Sequence, residues 1–168
     1  MSDDKSDSFN TFANIIVKII ITLTLIAVLW LLIINYLKIL DYNDSIHSNY
    51  LQLKQSLQIK VKLVKNLAKE ARITKKKSLQ LQNENINALS ELNKNTELYR
   101  EELIDILKKR SLDKKYKKAL LEIERQNNRI DIESMHYNLS VKKLNTLLET
   151  FPANLIAIPL HISKQKYF

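Results

Sequence analysis

The residue types that most often do chemistry are sparse in this chain. There are three histidines, His47, His136 and His161. None lies beside another or in an H-x-x-x-H spacing, which would put two ligands on one helix face. Cysteine is absent, which removes thiolate metal sites, disulfides and cysteine nucleophiles. Glu91, Glu97, Glu101, Glu102 and Asp105 crowd one stretch. Carboxylates in a helical bundle can hold two irons, but that site needs Glu-x-x-His pairs on two facing helices, which the sequence does not supply. Without glycine there is no phosphate-cradling loop. The expectation is no catalytic residue, no metal, no cofactor, no small-molecule substrate and a solvated acidic face.

The elements that could position anything are helices. A chain of 168 residues with no Gly and two Pro, Pro152 and Pro159, lacks the turn residues that sheets and compact α/β folds use. Its 27% of charged residues suits a bundle or coiled coil. The formal net charge of +9 suits a partner such as nucleic acid or anionic lipid, or else a lysine-rich solvated surface.

Ile19 to Leu37 holds no charged residue over 19 positions, with Thr22, Thr24, Asn35 and Tyr36 as its polar interruptions. A spanning helix needs about 20 mainly apolar residues. Lys18 can snorkel, and Tyr36 with Lys38 marks the far edge. The acidic start and the length of the run argue against a cleaved signal peptide. The Lys and Arg bias across the run is small. The short acidic tail is easier to translocate than the basic body, which favours a body on the cytoplasmic side.

The rest reads as three long helices. Tyr116, Leu120, Ile123, Asn127, Ile130, Ser134, Tyr137, Val141, Leu144, Leu148 and Phe151 alternate in steps of four and three, an a/d seam. Ile46, Tyr50, Leu53, Leu57, Val61, Val64, Ala68 and Ala71 form a similar stripe, whose step from Leu57 to Val61 departs from a strict heptad. Between them Leu79, Ile86, Leu89, Leu92, Tyr99, Leu103, Ile106 and Leu107 give an apolar side to an asparagine-rich segment of low helix propensity. The expected fold is all-α. A tail (1–14) and a transmembrane helix (15–38) precede an antiparallel bundle (39–168) with helices at 39–72, 78–109 and 114–150 and a short one at 153–158. Turns are expected at Thr74–Lys77, with Ser78 as a cap, and at Ser111–Asp113. Pro152 and Pro159 bracket an apolar segment expected to fold back onto the bundle.

Residues 127–157 carry Tyr137-Asn138, then Val141 and Asn145, then Phe151-Pro152-x-Asn154-Leu155-Ile156-Ala157. Tyr167 and Phe168 close the sequence, and a further Tyr42-Asn43 pair follows the apolar run. These stretches resemble the LemA family of bacterial membrane proteins. The sequence departs from the family pattern at Lys60 and Lys65, where an Arg and a Pro are usual, and at Glu133 and Ser134, where Ala-Arg is usual. The resemblance implies an N-terminal anchor, a soluble bundle of long antiparallel helices and a place in the bacterial cytoplasmic membrane. It implies no reaction. Tyr42, Asn43, Tyr137, Asn138, Asn145, Phe151, Pro152, Asn154 and Ala157 are then the candidate packing or partner-binding residues.

Two roles follow as expectations. One is a membrane-tethered structural or interaction protein with a protein partner. The alternative is a basic nucleic-acid binder at the membrane, against which stands the lack of aromatic interleaving and of any reading module. If successive helices alternate direction, the second turn returns to the bilayer. Lys108, Lys109, Arg110, Lys114, Lys115, Lys117 and Lys118 would then meet anionic headgroups.

Overall fold

A computed structural model describes residues 3–73, 79, 85–112 and 114–168, with side chains described at Phe12 and from Asn14 onward within them. Four helices make up its regular structure: α1 Asp3–Glu70, α2 Ile86–Lys109, α3 Lys117–Leu148 and α4 Ala153–Ala157. The chain divides into two compact units. One comprises Met1–Asp41 with Thr146–Ser163, the other Tyr42–Asn145 with Lys164–Phe168.

In the first unit, α1 presents its apolar side chains outward along the uncharged run as far as Leu31, and Leu32 and Ile34 beyond it are half-buried. Leu23 is 61% exposed, Leu29 58% and Trp30 64%, so this stretch is not buried within its unit. It is long and apolar enough to cross a membrane. Three of its polar side chains bond back to the helix. Thr22 Oγ1 donates to the Lys18 carbonyl at 2.9 Å, Thr24 Oγ1 to Ile20 at 2.8 Å and Asn35 Nδ2 to Leu31 at 2.8 Å. These three donors then need no water. Ile39, Leu148, Pro152, Ala153 and Ala157 are the buried apolar residues among those described in this unit.

The second unit is the bundle. On α1 the stripe from Ile46 to Ala71 is buried at every expected position except Tyr50, which is half-buried. On α2 Ile86, Leu89, Leu92, Thr96, Tyr99, Leu103 and Leu107 are buried. Tyr116, just before α3, and Ile123, Ile130, Tyr137, Val141 and Leu144 on it are buried, with Leu144 fully so. Burying a large aliphatic or aromatic side chain stabilises by about 1.5–3 kcal/mol, so these faces hold the three helices together.

The helices do not follow the expected up-down-up order. Lys60 of α1 meets Asn93 and Glu97 of α2, and Arg110, just past α2, reaches the Ala71 carbonyl. Numbers rise together, so α1 and α2 run parallel in this unit. On α3 they fall: Asn49 meets Ser140, Ser56 meets Gln126 and Glu70 meets Tyr116. α3 is therefore antiparallel to both. The residues between Ala71 and Ile86 suffice for this, since about 15 residues reach at most ~50 Å when extended and α2 is roughly 36 Å long.

Helix ends show how a chain without glycine stops a helix. Arg72, Ser111 and His161 have φ of 54°, 53° and 53°, the left-handed region. Behind each, the next residue's N–H bonds five residues back: Ile73 to Ala68 at 2.9 Å, Leu112 to Leu107 at 2.9 Å, Ile162 to Ala157 at 3.0 Å. These are Schellman endings, which glycine ordinarily supplies. α2 begins later than expected because Asn85 is its cap, its side chain accepting from Ala88 N–H at 2.9 Å. Ser78, the turn at Thr74–Lys77 and Asp113 lie outside the described residues.

Candidate functional site

α3 carries a row of side chains that hold the chain's last residues in extended form. Asn145 Oδ1 accepts the Gln165 N–H at 2.9 Å, and its Nδ2 donates to the Gln165 carbonyl at 2.9 Å. Asn138 does the same to Phe168, accepting at 2.8 Å and donating at 3.5 Å. Between them the Tyr137 hydroxyl donates to the Lys166 carbonyl at 3.0 Å. An asparagine amide offers one acceptor and an NH₂ donor in one plane, much as a peptide group does. Each asparagine therefore pairs with the backbone as a neighbouring strand would. The spacing fits: seven helical residues rise about 10.5 Å, and three extended residues about 10 Å.

Tyr137 also lines a groove of about 750 Å³, with Asn43, His47 and Tyr50 of α1, Asn85 at the start of α2 and Gln165 of the strapped segment. The Tyr50 hydroxyl is buried without a hydrogen-bond partner. Burial pushes the Tyr137 phenol above its ordinary pKa, and the neighbouring Tyr50 adds to this. Both Tyr-Asn pairs contribute a residue to this groove, Asn43 from the first and Tyr137 from the second.

A polar cluster crosses the three helices deeper in the same unit. The buried Lys60 ammonium sits 2.8 Å from Glu97 Oε2 and 2.9 Å from Asn93 Oδ1. Arg100 also pairs with Glu97, and Asn127 Nδ2 donates to Glu97 at 3.3 Å. Burial alone would raise the Glu97 carboxyl. Hydrogen bonds from Arg100 and Lys60, with the charges of both, outweigh it and hold the pKa below the ordinary value. Sequence reasoning noted Lys60 as a substitution without giving it a role. The clue lay in the broken heptad: three steps from Leu57 reach Lys60, four reach Val61, and both are buried.

The chain belongs to the LemA family. The family model matches residues 42–168. No curated protein and no solved structure matches the chain. The LemA motif residues divide by what they touch. Tyr137, Asn138 and Asn145 hold the C-terminal segment, and Asn43 lines the groove beside half-buried Tyr42. In the other unit Pro152 and Ala157 are buried, Asn154 is exposed, and Phe151 is 77% exposed. Phe151 therefore does not continue the α3 seam, because α3 ends at Leu148 and the chain turns before it.

The lysine-rich turn is not where alternating helices would put it. The Tyr116 hydroxyl donates to the Glu70 carbonyl at 2.9 Å, and Arg110 to Ala71 at 3.4 Å, so the turn meets the C-terminal end of α1. Residues 43–50 instead share the groove with the start of α2 and the strapped segment. The parallel course of α2 is the reason, and it removes the argument for headgroup contact by Lys108, Lys109, Arg110, Lys114, Lys115, Lys117 and Lys118. Among the described residues no group of three or more His, Asp or Glu could hold a metal. The Glu133-x-x-His136 spacing makes no such site, since Arg129 takes the Glu133 carboxylate at 2.8 Å and His136 is exposed.

Proposed function

We propose that this LemA-family protein is a single-span anchor carrying a non-catalytic helical bundle, which engages a protein partner at the bacterial cell envelope. One observation carries the reading: α1 changes its surroundings along its length. Its uncharged run exposes its large apolar side chains apart from half-buried Leu32 and Ile34, whereas the same helix from Ile46 to Ala68 buries an apolar stripe in the bundle. A helix apolar all round suits hydrocarbon, and an amphipathic one suits a bundle in water. The short acidic tail and basic body favour a body on the cytoplasmic side of the inner membrane.

The partner-facing part is the groove between the two Tyr-Asn pairs. Its open lining of mixed polar and apolar groups, the unpartnered Tyr50 hydroxyl and the extended chain beside it suit recognition rather than catalysis. Two experiments test the reading. The full-length protein should stay with membranes after carbonate extraction, and release into the supernatant would reject the anchor. A photo-crosslinking residue at Asn43 should capture one specific protein in the host, while the same residue at Lys62 on exposed α1 surface should not. Equal capture at both positions would reject the groove.

A further inference from the structure

The segment around α4 has its amphipathicity reversed. Residues 150–160, TFPANLIAIPL, contain no charge. Within them the buried residues are the small ones, Pro152, Ala153 and Ala157. Four of the five large apolar side chains face outward, with Phe151 77% exposed, Ile158 73%, Leu155 55% and Leu160 44%, and Ile156 is half-buried. A short helix on a water-washed surface would show the opposite arrangement. Chance exposure of single apolar residues is common, but a contiguous group with the small residues turned inward marks a face meant for apolar surroundings.

The compact unit that holds this segment also holds the uncharged run of α1. That run ends at Tyr36 and Lys38, residue types that favour the headgroup level. We infer that Phe151, Leu155, Ile158 and Leu160 form a second lipid-contacting element, lying shallowly in the membrane interface. It is too short to span, since a crossing helix needs about 20 residues. The inference deepens the anchoring role and rests on the reading that α1 crosses the bilayer. The span holds the protein in the membrane, and the α4 face fixes the depth and tilt at which it emerges. A protein covering this face would be expected to need polar rim contacts, and the segment offers only Asn154 and Thr150 beside its apolar side chains.

The absence of native cysteine allows a clean test on the full chain. Single-cysteine variants Phe151→Cys, Leu155→Cys and Ile158→Cys carry an environment-sensitive dye, with Leu25→Cys in the span and Lys62→Cys on the bundle as references. Each is reconstituted in vesicles of phosphatidylcholine and phosphatidylglycerol with lipids spin-labelled at shallow or deep positions. The three α4 probes should emit to the blue of the Lys62 probe and be quenched more by shallow than by deep labels. The Leu25 probe should be quenched most by deep labels. If Leu25 responds so while the α4 probes match Lys62, the lipid face is overturned and the anchor stands. Blue-shifted α4 probes that no lipid label quenches would mean a protein-covered face and overturn it equally. If Leu25 itself is not quenched, the anchoring reading fails and takes the inference with it.

Discussion

Asn145 and Gln165 exchange two hydrogen bonds, each of 2.9 Å, side-chain amide to main chain in both directions. Replacing Asn145 by Asp removes the donor and sets a carboxylate against the Gln165 carbonyl. Losing a partnered group at a half-buried site costs about 1–3 kcal/mol. The cost falls on the strapped segment, so amide exchange at Gln165 should quicken by about fivefold to a hundredfold, at 1.4 kcal/mol per factor of ten. Hydrogen exchange on the full chain in detergent reads this directly, and unchanged protection at Gln165 would show that the pair does not hold the segment.

Lys60 and Glu97 give a pH prediction with a definite sign. The folded Glu97 carboxyl titrates below its ordinary value of 4.5. A depressed folded pKa contributes stability above the unfolded value and loses it as pH falls through the folded one. Stability should therefore decline below about pH 4.5, and Glu97→Gln should make that decline shallower. Denaturant titrations across this range, with and without the substitution, make the comparison.

The same cluster separates charge from packing. Lys60→Ala leaves a void and one cation fewer beside Glu97, and truncating a buried partner costs about 3–5 kcal/mol, less here because Glu97 keeps Arg100. Lys60→Met together with Glu97→Leu replaces the whole pair by apolar chains and should restore most of the loss, since such replacements of buried pairs are often near neutral. Equal destabilisation by both, read from denaturation midpoints, would show that the charge itself is needed.

Ser111 holds a left-handed conformation, φ 53°, at the end of α2. That conformation costs a side-chain-bearing residue about 1–2 kcal/mol. Ser111→Gly should therefore stabilise the protein by about 1 kcal/mol after the entropy glycine adds to the unfolded chain. A lower denaturation midpoint in this variant would contradict the assignment.

Leu144 is fully buried on the α3 seam. Leu144→Ala should cost about 2–5 kcal/mol, and Leu144→Asp should cost more, enough to unfold the bundle. Helix content measured by circular dichroism distinguishes the two.

Much of this could be read from the sequence, because periodicity reports burial directly. The stripes from Ile46 to Ala71 and from Tyr116 to Leu148 are the buried faces, and Asn127, an interruption in the seam, is a member of the polar cluster. The direction of α2 could not be read, since it is decided by pairs such as Lys60 with Glu97 that are far apart in the chain. Nor could the Asn138 and Asn145 ladder, whose partners are main-chain groups that no side-chain pattern reveals. Phe151 continued the seam in spacing only, because the helix stops three residues earlier.

The central claim is that α1 passes from lipid into an aqueous bundle within one helix. A cysteine scan of the full chain in native membranes tests it most directly, with a water-soluble maleimide applied after gentle opening of the vesicles. Substitutions at Leu23, Leu25 and Leu29 should resist labelling until detergent is added, whereas Asp44 and Lys62 should label at once. Labelling of Leu25 at the same rate as Lys62 in intact membranes would contradict the account.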